Sequence, residues 1–308
     1  MTEVSLGGIR VGDGHPAFVI AEGGINASGS VLTCEKMIDA AAYAGAQAFK
    51  LQRRSPDFYS AEELARPLES PFGSTRGDYV RAREFGEQAY RDLSRYAAAK
   101  GLQFTASCWD LQALDDVMAW CSPPWLKIAS AVLTWPSKVR DPLLRAHAQT
   151  GLPLVVSTGM CDLSAIDEAL DVLHATWATE PRTCFQPPGL VLLACTSTYP
   201  CPDDEVNLNT IETLRARYGA PVGWSDHTRG IAVPTWAVAR HHACMVEKHL
   251  TLDRASFGSD QSSSLEPPGL ARMVRDIRIG EKADGSAEKR CLESELPFRA
   301  KLARKVGT

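Results

Sequence analysis

No run in this chain approaches the roughly 18 consecutive apolar residues a helix needs to cross a bilayer. The N-terminus, Met1-Thr-Glu-Val-Ser, lacks the basic and apolar regions of a secretory signal. Charge of one sign is also scarce. A net charge of −4 and a pI of about 6.0 give no broad attraction to phosphate backbones or anionic lipid, so no nucleic-acid and no membrane partner is expected. Any anionic ligand must then be caught locally. A disulfide framework is missing too: the nine Cys (34, 108, 121, 161, 184, 195, 201, 244 and 291) are odd in number, scattered and contain no Cys-x-x-Cys, which implies reduced thiols. Together these absences predict a cytoplasmic protein.

What the chain does contain is regular punctuation. Its 308 residues, 44% hydrophobic and 23% charged, suffice for one barrel-sized domain or two smaller ones. Short β-rich runs alternate with longer helical patterns: 17–22 then 31–44, 46–52 then 85–100, 103–108 then 111–120, and 125–130 then 137–150. The alternation continues with 153–158 then 163–176, 190–196 then 208–218, 221–225 then 231–240, and 245–250 then 268–279. The strand segments are nearly continuous apolar runs, such as Leu190-Val-Leu-Leu-Ala-Cys, as expected when both sheet faces are covered. Eight such units predict an α/β fold of the closed (β/α)8 TIM-barrel type ahead of an open doubly wound sheet. No Gly-x-Gly-x-x-Gly follows the first strand, which weakens the dinucleotide-binding alternative.

Before the barrel, Val4-Ser-Leu-Gly-Gly-Ile-Arg-Val predicts an N-terminal β-hairpin plugging the barrel floor. Residues Arg53–Arg83, rich in Pro, Ser and Gly, read as a long loop, and loops of that length are functional or disordered. After Gly280 the chain turns charged and loses periodicity. The expected division is a catalytic barrel over 1–280 and a surface tail over 281–308.

In TIM barrels the chemistry sits at the carboxyl ends of the strands. Those ends here carry Glu22, Lys50 with Gln52, Ser107 with Asp110, Lys127 with Ser130, Ser157, Ser197 with Tyr199, Ser225 with Asp226 and His227, and Glu247 with His249. His227 and His249 end neighbouring strands, so two imidazoles could hold one divalent cation with open positions. Either His alone reads more often as a hydrogen-bonded structural residue than as a ligand. Two Lys and a ring of Ser hydroxyls around them would form a socket for a small anion such as a phosphate or carboxylate. Glu22 opposite would suit proton transfer or hydroxyl anchoring. Cys108 and Cys195, also at strand ends, have no His base in the local sequence and read as small core residues. His241 and His242, at a helix end, read as a cap or surface feature. The Trp residues read as packing and loop anchors, with Trp135 placed where a ring could cover an acceptor.

The ordered strings Ile20-Ala-Glu-Gly-Gly-Ile-Asn, Ala48-Phe-Lys-Leu-Gln, Phe72-Gly-Ser-Thr-Arg-Gly-Asp-Tyr, Phe104-Thr-Ala-Ser-Cys-Trp-Asp, Leu126-Lys-Ile-Ala-Ser and Ser157-Thr-Gly-Met run through the first five units. Cys195-Thr-Ser-Thr-Tyr-Pro, Asp204-Glu-Val-Asn-Leu, Gly223-Trp-Ser-Asp-His-Thr-Arg-Gly-Ile, Glu247-Lys-His-Leu-Thr-Leu-Asp and Gly258-Ser-Asp-Gln-Ser-Ser-Ser-Leu-Glu-Pro follow. With these motifs the chain resembles the sialic acid (N-acetylneuraminate) synthases, which condense phosphoenolpyruvate with an N-acylated amino sugar. The resemblance implies that His227 and His249 are ligands of a divalent metal, Mn²⁺ or Mg²⁺. It implies that Lys50, Ser107, Lys127, Ser130, Ser157, Ser197 and Ser225 hold phosphoenolpyruvate. Glu22 matches the active-site carboxylate beside the catalytic Lys50 and Lys127, while Gln52, Tyr199 and Asp260 match positions facing the aldehyde acceptor. The implied reaction joins C3 of phosphoenolpyruvate to an acceptor aldehyde polarised by the metal, then adds water at C2 and releases phosphate by C–O cleavage.

Departures from the family pattern fall on the acceptor side. Ala27 stands where the family has His, Ala131-Val-Leu-Thr-Trp replaces a Gly-acid run followed by an Asn pair, and Gln261 replaces a His. Losing polar partners should discriminate against a polyhydroxylated N-acyl sugar. The chain ends where the family continues into an antifreeze-like domain, so that domain is expected to be absent, with the dimer that exchanges it. A barrel–barrel homodimer is left open. Three readings follow: a synthase of 2-keto (ulosonic) acids with an acceptor other than N-acetylmannosamine, N-acetylneuraminate synthase proper in truncated form, or a non-catalytic barrel that acts as a binding or regulatory partner.

Overall fold

A computed structural model describes residues 3–181 and 187–303. Strands β1 (Glu3–Leu6) and β2 (Ile9–Gly12) form an antiparallel hairpin. Its turn runs through Gly7 and Gly8, both in the left-handed region that favours glycine. The chain continues through β3 (Phe18–Gly24), α1 (Val31–Ala44), β4 (Ala48–Arg53), α2 (Ala61–Ala65), β5 (Pro67–Ser70), β6 (Gly73–Thr75), α3 (Arg76–Arg83), α4 (Glu87–Ala99), β7 (Gln103–Cys108) and α5 (Leu111–Cys121). Then come β8 (Leu126–Ile128), α6 (Ser130–Leu133), α7 (Ser137–Gln149), β9 (Leu154–Ser157), α8 (Leu163–Thr179), β10 (Leu190–Ala194), α9 (Thr210–Tyr218), β11 (Val222–Asp226), α10 (Ala232–His241), β12 (Met245–His249), α11 (Pro267–Ala283) and α12 (Leu296–Leu302). Strands β3, β4 and β7 to β12 pair in parallel, and β12 returns to β3 to close the barrel. No helix among the described residues is long and apolar enough to cross a membrane.

The period of two along each strand divides the barrel into an inside and an outside. Outward positions such as Val19, Phe49, Leu51, Phe104, Leu126, Ile128, Leu192, Trp224 and Val246 pack against Met37, Ile38, Leu93, Leu144, Leu170, Leu214 and Met273 of the surrounding helices. Inward positions at the lower end form a separate apolar layer of Phe18, Ile20, Ala48, Trp125, Val155, Val191, Leu193 and Met245, closed from below by Leu6 and Val11 of the hairpin. Phe18 meets Trp125 edge-on at 6.1 Å, and Trp125 Nε1 donates to Gln103 at 2.6 Å. The floor is therefore a packed plug, as the hairpin pattern predicted.

Helix starts are set by side-chain caps. Ser30, Asp110 and Asp162 accept the N3 amides of α1, α5 and α8, which satisfies donors the helix cannot. Residues 53–83, expected as a loop, instead hold α2, the β5–β6 hairpin and α3. Ser60 with Glu63 and Thr75 with Asp78 form reciprocal capping boxes at both helices. Their short length hid them from a periodicity reading.

One outer-helix residue carries a pH prediction. His147 on α7 is fully buried; its Nδ1 donates to the Leu143 carbonyl at 2.8 Å and its Nε2 has no partner. Burial pushes its pKa down to about 4 from 6.5. A depressed folded-state pKa means the unfolded chain binds the proton first, so stability is intact above pH 6.5 and falls as pH drops from 6.5 towards 4. The loss from this residue is on the order of 3 kcal/mol. Urea midpoints measured across that window should flatten in His147→Leu; an unchanged slope refutes the assignment.

Candidate active site

The same inward parity that fills the floor with apolar side chains continues upward with polar ones. Above Ile20 stands Glu22, above Ala48 stand Lys50 and Gln52, above Val155 stands Ser157, and above Met245 stand Glu247 and His249. These side chains meet in one cavity at the carboxyl mouth. It is lined by Glu22, Lys50, Gln52, Ser107, Lys127, Ser130, Ser157, Ser197, Tyr199, Ser225, His227 and His249, and also by Glu247, Trp109, Ala131 and Cys195. Among the residues placed at the strand ends Asp110 and Asp226 do not line the cavity, and neither does the acceptor candidate Asp260. It sits behind His249, its carboxylate 3.7 Å from Nδ1, and accepts from Ser259 at 2.6 Å.

At the base of the cavity a carboxylate lies between two ammonium groups. Glu247 is 3.6 Å from Lys50 and 3.9 Å from Lys127, and Ser225 donates to it at 3.0 Å. Lys50 also pairs with Glu22 and donates to Ser107 at 2.9 Å. Lys127 donates to Ser157 at 2.6 Å and to the Ile128 carbonyl at 3.0 Å. Burial alone would raise the Glu247 pKa, but Lys127 and Lys50 outweigh it and hold Glu247 well below the usual carboxylate range. Burial wins at Glu22, whose pKa is raised despite Lys50, with the nearby Glu247 charge adding to the rise. The two carboxyls thus divide their roles, Glu247 staying ionised and Glu22 accepting a proton more readily. Burial also lowers the Lys127 pKa.

Higher up, His227 Nδ1 donates to the Thr196 carbonyl at 2.7 Å, which leaves the Nε2 lone pair facing the cavity, where the Tyr199 hydroxyl donates to it at 2.9 Å. The rings of His227 and His249 are 5.7 Å apart. Burial depresses both imidazoles, so both are neutral at pH 7. His249 Nδ1 is buried without a hydrogen-bond partner. Among the described residues no group of three or more His, Cys, Asp or Glu side chains is arranged around a common point. Two neutral imidazoles, one oriented from behind by a carbonyl and one with a buried nitrogen that no residue satisfies, could together hold a divalent cation.

Several residues differ from their sequence reading. Glu247 was only a strand-end residue in the sequence, yet it is the electrostatic centre; its spacing of two from His249 was the available signal. Asp226 and Lys248, interleaved with the site residues, point outward and pair with each other at 2.5 Å. Asp110 caps α5 and accepts from Ser55 at 2.8 Å. Cys108 is core, whereas Cys195 lines the cavity and accepts from the Gly159 amide at 3.1 Å. A side chain at Gly159 would collide with Ser197 Oγ at 2.2 Å. His242 is the left-handed C-cap of α10, while His241 is buried against Glu212 at 2.7 Å. Val132 and Leu133, expected to strip polar partners from the acceptor side, are buried in the outer core, and Ala131 alone of that run faces the cavity. Gln261 is likewise buried, donating to the Asn26 carbonyl at 3.3 Å. Trp135 packs against Trp109 and Phe58, ring centroids 6.2 and 5.9 Å away.

Comparison with known proteins finds relatives along most of the chain. The profile of the NeuB family matches residues 37–289. N,N'-diacetyllegionaminic acid synthase of Legionella pneumophila is 34% identical over 299 residues, covering 96% of this chain and 81% of that protein. N-acetylneuraminate-9-phosphate synthase of Homo sapiens is 35% identical over 300 residues, covering 96% and 79%. The crystal structure of N-acetylneuraminic acid (sialic acid) synthetase from Leptospira borgpetersenii in complex with citrate superposes with a TM-score of 0.79 at 31% identity, covering 99% of this chain and 98% of that one.

Proposed function

The chain belongs to the NeuB family, and from that premise we propose that it is a phosphoenolpyruvate-condensing synthase that joins an aldehyde sugar to a three-carbon enol phosphate, giving a 2-keto (ulosonic) acid and phosphate. The observation that carries this reading is the pair of buried ammonium groups flanking Glu247 beneath two neutral imidazoles. Lys50 and Lys127, with Ser107, Ser157 and the Ser130–Ser197 hydroxyl pair at 3.0 Å, hold the phosphate and carboxylate of phosphoenolpyruvate. Their desolvation is already met by the fold, so the charges act without solvent reorganisation when substrate enters. Gln52, which donates to Glu22 at 3.2 Å, and Tyr199 orient the acceptor. A divalent cation, Mn²⁺ or Mg²⁺, on His227 and His249 would supply Lewis-acid polarisation of the acceptor carbonyl.

C3 of phosphoenolpyruvate then forms the new carbon–carbon bond to the aldehyde carbon, whose oxygen becomes a hydroxyl. Water adds at C2, and Glu22 takes the proton that this water releases and, through Lys50 beside it, returns it to the acceptor oxygen; the second proton of the water leaves with the phosphate. The C2–O bond to phosphate breaks and the 2-keto group forms. Ala27 and Val132, standing where the family has a His and an acid, bring no polar group to the cavity, which supports an acceptor other than N-acetylmannosamine.

The test uses metal-replete protein, phosphoenolpyruvate and four- to six-carbon aldoses with and without N-acetyl groups. Phosphate release should require Mn²⁺ or Mg²⁺ and stop on chelation. Phosphoenolpyruvate labelled with ¹⁸O at the bridging position should deliver the label to phosphate. Binding of phosphoenolpyruvate with no phosphate from any acceptor would favour a non-catalytic barrel instead.

A further inference from the structure

The segment that joins β9 to α8, residues 158–162, is held from both ends. Thr158 donates through its amide and its hydroxyl to the Leu193 carbonyl, each at 3.0 Å, and Asp162 accepts the Ala165 amide at 2.9 Å. Between them Gly159 donates its amide to Cys195 Sγ at 3.1 Å and accepts from Cys161 Sγ at 3.3 Å. With its neighbours fixed in this way, Met160 takes a φ of +62°, in the left-handed region that a side chain disfavours. The other non-glycine residues at positive φ among the described residues, Ser28, Ser122, Asn207 and His242, all carry polar side chains. Met160 is the one long apolar side chain. Strain that the surroundings impose beside a reaction cavity points to a side chain whose placement matters.

That placement is over one half of the mouth. Met160 lines the catalytic cavity and yet is 59% exposed. Ser157 ends the strand that leads to it, Ser197 crowds the preceding Gly159, and Lys127 comes from the adjacent β8. These are the groups assigned to phosphoenolpyruvate. Strand β9 stands diametrically opposite β3 in the closed ring, so Glu22, with Gln52 and His249 on the two strands flanking β3, occupies the far half. Ala131 and Tyr199 flank Met160 on the rim after β8 and β10. An unbranched, flexible thioether can lie outward in water or turn inward over a ligand with little change elsewhere.

We propose that Met160 is a lip that turns inward over phosphoenolpyruvate once Lys127, Ser130, Ser157 and Ser197 hold it, covering the enol phosphate on the β9 side while the acceptor enters over Glu22 and Gln52. The inference rests on the synthase reading for the identity of the ligand beneath the lip. Apolar contact with the thioether slows escape of the ligand. Expelling water from that side also strengthens the attraction between the ammonium groups and the phosphate and carboxylate.

Full-length protein carrying ¹³C at its methionine methyls reports the lip directly, the Met160 signal being identified by its loss in Met160→Leu. Titration with phosphoenolpyruvate should shift that signal while those of Met37 and Met273 in the outer core stay in place. Met160→Gly should raise Tm by about 2 °C, because glycine adopts this φ without strain. The same variant should bind phosphoenolpyruvate about tenfold more weakly, with most of the change in the dissociation rate followed by stopped-flow tryptophan fluorescence. Its kcat at saturating phosphoenolpyruvate should change by less than about threefold, so that the loss falls on KM. Met160→Leu, close in volume, should keep the affinity within about threefold of wild type. A purely structural role would not let the fold gain stability while the site loses ligand. An unmoved Met160 signal in protein that binds phosphoenolpyruvate, or wild-type affinity in Met160→Gly, overturns the lip and leaves the synthase reading standing. Wild-type protein that binds no phosphoenolpyruvate overturns both.

Discussion

Lys127→Met lowers kcat/KM for phosphoenolpyruvate by about a hundredfold to a thousandfold, and Lys50→Met does the same. Each substitution removes one positive charge while keeping most of the side-chain volume, in a cavity where both ammonium groups are 2% exposed. In such surroundings a preorganised charge is worth far more than the same charge in water. Loss of either Lys also leaves Glu247 with one neutralising neighbour, so a negative charge now faces the incoming phosphate and carboxylate. Arg is no substitute, because its planar fork cannot occupy the narrow seat between Glu247 and Ser157. Substrate affinity from tryptophan quenching, together with steady-state rates, checks the prediction once circular dichroism has shown the variants folded. A Lys127→Met enzyme with wild-type kcat/KM would remove the ammonium pair from the mechanism.

On the other side of the same strands, Lys248→Met destabilises the fold by about 3–5 kcal/mol. Lys248 and Asp226 are both 0% exposed. The ammonium donates to Asp226 and to the Thr228 carbonyl, each at 2.5 Å. The carboxylate also accepts from Trp224 Nε1 at 2.9 Å and from the Thr228 hydroxyl at 3.0 Å. Removing one charge strands the other where water cannot reach it. Asp226→Asn should cost a similar amount, and the double variant should cost clearly less than the two single changes together, because no isolated charge remains. Urea denaturation of the four proteins gives the coupling directly; strict additivity would mean that the pair is not electrostatically linked.

The apolar strand runs and their alternation with helical patterns fixed the number and order of the barrel elements. The helix at Val31–Ala44 and the strand at Gln103–Cys108 have the bounds read from sequence. Parity was harder to read. Ser225-Asp226-His227 and Glu247-Lys248-His249 look uniformly polar in one dimension. Only strand direction and the position of the barrel axis assign Ser225, His227, Glu247 and His249 to the cavity and Asp226 with Lys248 to the outer core. Likewise Val132 is as apolar in sequence as Ala131, and the one turn of α6 decides which of them the cavity meets.

Residue order dictates which chemical groups reach the carboxyl ends of the strands, because a buried parallel strand must be apolar until it leaves the core and polar where it emerges. Tertiary structure alone decided how those groups share charge. Whether a carboxylate is ionised, whether a guanidinium is paired, and whether two imidazoles stand within reach of one ion all depend on distances across the barrel between strands far apart in the chain. Coulomb energies and desolvation follow those distances and not residue order.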